Sequence, residues 1–339
     1  LNQRNILGEA SVALNAKELV LKSLKEKDGK FVSGEKLSAE LKVTRAAVWK
    51  QIQALRKDGY TIESKPKLGY RLLGVPDVLF PWEIQAQRGR SLIGHSVHRF
   101  DELDSTMDKA EELAQAGGEE GLVVVAETQK RGKGRMGRMW LSPQGGVWLS
   151  IILRPKIHPR YAPILSLMAA VAVARAIWRV CHLEAKLKWP NDVLLEGRKV
   201  SGILTKINAE TDLINYVIVG VGVNVNVNPA SLDPRLREAA TCLKDEAGRE
   251  ISRTTFVQVL LEEKEKLYRL FLRRDFTAIL NAWKRLSDTL GRWVRVEFQG
   301  EAVEGEAVDL DGTGGLLLKL ADGSLRQVLA GDVKVLRNR

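Results

Sequence analysis

Gln129-Lys-Arg-Gly-Lys-Gly-Arg-Met-Gly-Arg-Met-Trp140 sets four cations, Arg131, Lys133, Arg135 and Arg138, among three glycines, Gly132, Gly134 and Gly137. Glycine lets a backbone bend and come close to a ligand. Arginine offers a planar fork of donors matched to phosphate or carboxylate. The stretch reads as a loop that closes over an anion. Its glycine spacing also matches the dinucleotide fingerprint, which needs a strand before it, a helix after it and an acidic residue about 20 positions on. Leu122–Ala126 supplies the strand, but Trp140–Pro143 leads through Gly145-Gly146 into Val147–Leu153, a second strand. No Asp or Glu lies between Met139 and Ile157, and Gly134 is followed by Arg135 where a P-loop has Lys-Ser/Thr. The prediction is therefore strand, anion loop, strand. A solvated basic hairpin turn is the plainer alternative.

The chain has 339 residues, enough for two or three domains and a sizeable core. Hydrophobic residues at 45% and charged residues at 28% fit an ordinary globular chain. No unbroken apolar run reaches membrane-span length, and Leu1–Asn15 lacks the basic-then-apolar order of a signal peptide. Cys181 and Cys242 have no framework or metal spacing and read as buried free thiols. The expectation is a cytoplasmic protein without a membrane partner. The net charge of +11 is uneven: residues 1–75 hold 15 Lys and Arg against 8 Asp and Glu. Such asymmetry points to a nucleic-acid-binding module at the N-terminal end.

That end has the matching layout. Ala16–Lys27 carries apolar residues at helical spacing. Ser33 is placed to cap a helix over Gly34–Leu41, and Thr44 one over Arg45–Lys57 that stops at Asp58-Gly59. Strands over Tyr60–Ser64 and Tyr70–Leu73 flank the basic turn from Lys65 to Gly69. Together they predict a winged helix-turn-helix DNA-binding domain over residues 16–75. Thr44, Arg45, Trp49, Lys50 and Gln53 would face base edges, and Lys65, Lys67 and Arg71 the phosphates. A helical packing or dimerisation domain is the competing reading. Gly74–Pro81 reads as a linker.

From Trp82 the pattern becomes mixed α/β, with a domain expected over 82–290. Helices are predicted over Thr106–Ala116, Ala162–Cys181, Thr254–Leu272 and Phe276–Thr289. Strands are predicted over Val193–Leu195, Val200–Lys206 and Tyr216–Val225, the first two joined by a turn at Glu196-Gly197-Arg198. From Gly291 four short strands, Trp293–Phe298, Glu301–Leu310, Gly315–Leu320 and Ser324–Leu329, predict a small β-barrel over 291–339.

Four features of the middle region converge on one site. They are Asp104-Ser-Thr106 before a helix, the glycine–arginine loop, Lys188-Trp-Pro-Asn-Asp192 with Arg198-Lys-Val-Ser-Gly202, and Gly220-Val-Gly-Val-Asn224. Taken singly, the first also reads as a helix cap, the third as a surface turn and the fourth as tight internal packing. Together they resemble the biotin–protein ligases, and within them the bifunctional ligase and biotin-operon repressor type. The N-terminal run Thr44-Arg-Ala-Ala-Val-Trp-Lys50 with Gly69-Tyr70 resembles the repressor's winged helix. The resemblance runs from about Ala16 to the end. It implies an α/β multidomain fold: the winged helix-turn-helix, a central α+β biotin/lipoate-ligase-like catalytic domain with a mixed sheet, and a small SH3-like barrel.

The activity so implied has two steps. Biotin attacks the α-phosphate of ATP, giving biotinyl-5′-adenylate and pyrophosphate, and a lysine of a biotin carboxyl carrier protein then takes the biotin. Cations and Mg²⁺ would offset the repulsion between carboxylate and triphosphate. The resemblance implies Lys199, Arg135 and Asp192 as catalytic residues, with Mg²⁺ brought by ATP near Asp192 and no protein-only metal cage. Ser105, Thr106, Gln129, Gly132, Lys133, Arg135, Lys199 and Gly202 are implied around biotin. Lys133, Arg135, Arg138, Trp140, Asn191, Asn224 and Arg337 are implied around ATP or the adenylate. Lys133 stands where many members have Arg, and Met107 where Asn is common. Operator DNA and an adenylate-dependent homodimer are the implied partners. A catalytically inactive biotin sensor, and a ligase whose winged helix no longer binds DNA, are the alternatives.

Overall fold

Apolar residues at three- and four-residue spacing draw the N-terminal helices together. The computed structural model describes residues 16–86, 91–228, 239–298 and 300–336, and falls into two compact units that meet between Val78 and Leu79. The first contains α1 (Ala16–Glu26), α2 (Gly34–Leu41), α3 (Arg45–Lys57), β1 (Thr61–Lys65) and β2 (Gly69–Gly74). Val20, Leu24, Leu37, Val48, Ile52 and Leu55 are buried between the helices. Ser33 Oγ accepts from Lys36 N at 3.1 Å and Thr44 Oγ1 from Ala47 N at 3.1 Å, the caps the sequence predicts. Val32 and Tyr70 exchange backbone hydrogen bonds of 2.8 and 2.9 Å, which fastens the wing beside α2. Gly69 makes this possible: its φ is +104°, and a Cβ there would lie 2.0 Å from the Val32 carbonyl oxygen.

The second unit is built on a seven-stranded mixed sheet in the order β3-β4-β5-β9-β8-β7-β6. These strands are β3 (Val97–Leu103), β4 (Val123–Gln129), β5 (Val147–Leu153), β6 (Lys186–Lys188), β7 (Asp192–Leu195), β8 (Arg198–Ala209) and β9 (Ile214–Val223). β3 and β4 are parallel, with α5 (Thr106–Gln115) as their crossover; the other pairs are antiparallel. Alternation along β9 assigns the two faces. Val217, Val219, Val221 and Val223 join the main core with α6 (Pro163–Cys181), while Ile218 packs with Met107 and Ala110 of α5. The site therefore lies on the α5 face.

α6 is apolar nearly all round because it is buried nearly all round. By length and composition Pro159–Cys181 could cross a membrane, and its position in the core accounts for that composition. It packs against α8 (Arg253–Leu272) and α9 (Phe276–Leu286), with α4 (Pro81–Gln85) and α7 (Leu243–Ala247) as short additions. At the C-terminal end, β10 (Trp293–Phe298), β11 (Glu301–Leu310), β12 (Leu316–Lys319), β13 (Leu325–Val328) and β14 (Asp332–Val335) form an antiparallel sheet ordered β13-β12-β11-β10-β14. Val294, Val296, Ala307, Leu316 and Leu318 share the core of the larger sheet.

Several elements differ from the sequence reading. Pro81 opens α4 instead of closing a linker, as proline at a first helical position can. The predicted helix over Phe276–Thr289 stops at Leu286, where Ser287 Oγ accepts from the backbone N–H groups of Thr289 and Leu290. β3, β6 and β14 carry little apolar alternation and escaped the pattern. Both cysteines are free and buried, and burial raises their thiol pKa values, Cys242 to about 11.

Among the described residues, one of the buried side-chain atoms without a hydrogen-bond partner is an amine. Lys264 Nζ is fully buried without a hydrogen bond, and burial lowers its pKa from 10.5 to about 7. The unfolded chain keeps that proton up to about pH 10.4. Across the window from about 7 upward the unfolded state thus binds more protons, and this group makes stability rise with pH. Lys264→Met is expected to raise the melting temperature most near pH 7 and least near pH 10, measured by scanning calorimetry. A gain independent of pH would contradict a neutral buried lysine.

Candidate active site

β4 ends at Gln129, and a buried ion pair fixes that end. Arg253 Nη1 lies 2.7 Å from Glu127 Oε2, and Leu79 N donates to Glu127 Oε1 at 3.0 Å. Gln129 then ties three segments together. Its Oε1 accepts from Thr106 N at 2.7 Å, and its Nε2 donates to Ser142 Oγ at 2.7 Å. Thr106 Oγ1 accepts from Ser150 Oγ at 2.9 Å. Ser105 caps α5, its Oγ accepting from Met107 N at 3.2 Å, which leaves its own proton to donate. Ser105, Thr106 and Gln129 thus form one polar wall.

The floor of the site is glycine. Gly202 of β8 and Gly222 of β9 are cross-strand partners. The Trp140 indole lies against both: a Cβ would fall 2.9 Å from its Cζ3 at Gly202 and 2.6 Å from its Nε1 at Gly222. Gly220 instead faces the Met107 sulfur, so the alternating glycines serve the site and the core packing at once. The Lys199 ammonium sits 5.1 Å from the Trp140 ring centre and 2.6 Å from Asp192 Oδ1. β7 and β8 are joined by Glu196 and Gly197, with φ of 47° and 72°, the two-residue turn that matches strand twist.

The glycine–arginine loop folds back on itself, and a strand follows it instead of a helix, as predicted. Lys133 bridges to Met139, Trp140 N donates to Gly132 O at 2.8 Å, and Arg135–Gly137 makes a single 3-10 turn. Each cation rests on a carboxylate. Arg131 pairs with Asp104 at 3.5 Å, Lys133 with Asp108, and Arg138 with Asp332 at 2.8 Å. Arg135 is the most enclosed: its Nη1 donates to Asn191 Oδ1 and to Gly331 O, both at 3.2 Å, and lies 3.5 Å from Asp332. Burial lowers its pKa, while Asp332 and Asp192 act to raise it, and a guanidinium remains charged.

The structure thus brings together Ser105, Thr106, Gln129, Gly132, Lys133, Arg135, Trp140, Asn191, Asp192, Lys199 and Gly202, with Arg138 at the outer edge. Asn224 has a different environment from the one expected of a nucleotide contact. It is 4% exposed, and its Nδ2 donates to Thr241 O at 3.0 Å, so its amide builds the wall behind Lys199. Arg337 lies outside the described residues. Sequence reasoning missed Asp108, Ser142 and Asp332, which partner the predicted groups, and Trp189. The Trp189 ring is buried, its Nε1 donates to Gly314 O at 3.1 Å, and its N to Thr289 Oγ1 at 3.0 Å. It anchors the Lys188–Asp192 segment to the C-terminal sheet. The Trp189–Pro190 bond is cis.

In the first unit, Arg45, Trp49 and Lys50 are exposed on α3, opposite the buried Val48, Ile52 and Leu55, with Thr44 at its cap. Lys67, at the wing tip with φ of 66°, is exposed, and Lys65 lies 3.2 Å from Glu63. Arg71, expected to reach phosphate, forks onto Glu63 Oε2 at 2.9 and 2.5 Å and stacks 4.7 Å over Phe31. It is held within the hairpin by that pair.

Comparison with known proteins agrees with this architecture. Residues 99–224 match the biotin/lipoate A/B protein ligase family, residues 17–71 an HTH domain, and residues 289–336 the biotin protein ligase C-terminal domain. The chain belongs to the biotin protein ligase family. Among its relatives, the bifunctional ligase/repressor BirA of Bacillus subtilis is 39% identical over 306 residues, 90% of this chain and 94% of that one. BirA of Escherichia coli is 29% identical over 317 residues, 91% of this chain and 94% of that one. The biotin protein ligase of Aquifex aeolicus, solved with biotin and ATP, superposes with a TM-score of 0.62 at 27% identity, covering 72% of this chain and 99% of that one.

The paired glycines yield a test. Gly222→Val is expected to drive the Trp140 indole off the floor and weaken biotin binding at least about tenfold by calorimetry, a change of about 1.4 kcal/mol. Gly220→Val would strike the buried Met107 and lower the melting temperature instead. Equal effects of the two on biotin affinity would contradict the division between floor and core.

Proposed function

We propose that this chain activates biotin with ATP as biotinyl-5′-adenylate and transfers it to a lysine of a biotin carboxyl carrier protein. The observation that carries the reading is the Lys199–Asp192 pair at 2.6 Å beside Arg135, next to the paired glycines on which the Trp140 indole rests. The biotin carboxylate would take Lys199 as its counterion while Asn191 and Arg135 hold the α-phosphate. A carboxylate oxygen attacks that phosphorus, and pyrophosphate leaves. Arg135, Arg138 and Lys133 offset the negative charge that develops. The neutral amine of the carrier lysine then attacks the acyl carbon, AMP leaves, and the amine proton passes to solvent. The Gln129–Thr106–Ser142 wall and Ser105 would orient the biotin ring.

The donor set fits a metal carried by the nucleotide. Among the described residues no three His, Cys, Asp or Glu cluster into a cage, and Asp192 is the carboxylate that pairs with Lys199. Mg²⁺ bound with the triphosphate would supply charge neutralisation, as such ions usually do with few protein ligands.

The second role is repression. The adenylate would act as corepressor by favouring a homodimer, and the dimer would bind operator DNA through Thr44, Arg45, Trp49, Lys50, Lys65 and Lys67. A ligand that orders loops at a dimer face lowers the entropy lost on pairing. The location we propose is the cytoplasm, where ATP, carrier protein and DNA are present together.

Incubation with a purified carrier domain tests the ligase: labelling of the carrier lysine is expected only when Mg-ATP is present. No labelling despite biotin binding would favour an inactive sensor. Arg135→Gly is expected to release the adenylate prematurely and biotinylate bystander lysines, read by avidin blot. Unchanged stray labelling would remove Arg135 from that role. Operator binding is expected to rise with biotin and ATP together and to fall steeply with salt, seen by titration in increasing KCl.

A further inference from the structure

Trp49 is an expensive residue to leave in water. Its side chain is 56% exposed on α3. The helix packs without it: Val48, Ile52 and Leu55 are fully buried on the core side. Arg45, Ala46 and Gln53 share its face at three- and four-residue spacing, and Lys50 is its exposed neighbour in sequence. Ala46, one turn earlier, is also exposed and too small to shield the indole. The surrounding charge identifies the occupant as a polyanion: Arg45 and Lys50 flank the indole, within a segment of 15 Lys and Arg against 8 Asp and Glu.

On DNA, an indole in that position meets a narrow choice. Phosphates offer it nothing apolar. In the major groove the apolar group on a base edge is the thymine C5-methyl, which sits beside the O4 acceptor. An indole has a flat apolar face and a single N–H donor, and thymine presents the complement of both. Cytosine presents a hydrogen in place of the methyl and an N4 donor in place of O4, so an indole N–H would meet a donor there.

We propose that Trp49 is a specificity-determining residue that reads thymine, packing the indole edge beside Nε1 against its C5-methyl and directing Nε1–H at O4. This rests on the DNA-binding reading of the first unit. Lys50, Arg45 and the wing lysines supply affinity without regard to sequence, and Trp49 adds selection for a thymine at one position in each half-site.

The test uses the full chain with biotin and Mg-ATP. A duplex enriched from a random-sequence pool is remade with deoxyuridine replacing each thymidine in turn, which removes the methyl and keeps O4. The native protein is expected to lose about fourfold in affinity at one thymine per half-site, the value of one buried methyl. Trp49→Ala should bind the thymidine and deoxyuridine duplexes equally, with an unchanged melting temperature because the side chain is exposed. Trp49→Phe should keep the methyl effect and lose part of the discrimination against cytosine. A methyl effect that persists in Trp49→Ala, or none in the native protein, would overturn the proposal and leave DNA binding intact. Failure to enrich any duplex would overturn DNA binding itself, and this proposal with it.

Discussion

The anchoring of Arg135 on Asn191 and Gly331, at the centre of the glycine loop, is the interaction on which the rest of the site depends. Four positive side chains crowded on one loop would repel each other and push it away from the protein. Asp104 and Asp108 beside α5 hold one flank, through Arg131 and Lys133, and Asp332 at β14 holds the other through Arg138. These pairs are largely exposed, and exposed pairs contribute about 0–1 kcal/mol each. Arg135 is held more firmly, with two hydrogen bonds and a side chain only 19% exposed. The loop is therefore weakly tied at its edges and well anchored at its centre. A phosphate that binds bidentate to arginine outcompetes such edge pairs, so anion binding can exchange partners without dismantling the anchor.

The same anchor makes the C-terminal sheet part of the site. Gly331 and Asp332 meet the loop, while Gly314 receives the Trp189 N–H from the segment that carries Asn191 and Asp192. Loop and catalytic hairpin are thus registered against one another through a third element. The shared core, in which Val294, Val296 and Leu318 pack with the residues of α6, makes that element rigid. Lys199 and Asp192 can then keep a short pair at the hairpin beside the indole of Trp140, which rests on Gly202 and Gly222.

Much of this was legible in the sequence because it is local. Ser33 and Thr44 announce their helices, Glu196-Gly197-Arg198 announces a turn, and the absence of a helical pattern after Gly137 rules out a dinucleotide loop. What was not legible is tertiary. Arg138 and Asp332 are 194 positions apart, and nothing in β14 marks its aspartate as a partner. Trp189 stands inside a recognised motif, yet its role appears only when Gly314 is seen beside it. Arg71 has the composition of a phosphate contact, and only the register that sets it opposite Glu63 shows it to be engaged. Asn224 illustrates the same limit, since a polar residue after a glycine strand can face a ligand or brace a wall, and here it braces Thr241.

The central claim is that the Lys199 hairpin and the glycine loop form one adenylation site. Isotope exchange between pyrophosphate and ATP measures that step alone, without carrier protein or DNA. Exchange is expected to require biotin and to disappear in Lys199→Ala while the variant keeps its native melting temperature. Biotin-independent exchange, or full exchange in a folded Lys199→Ala protein, would contradict the account.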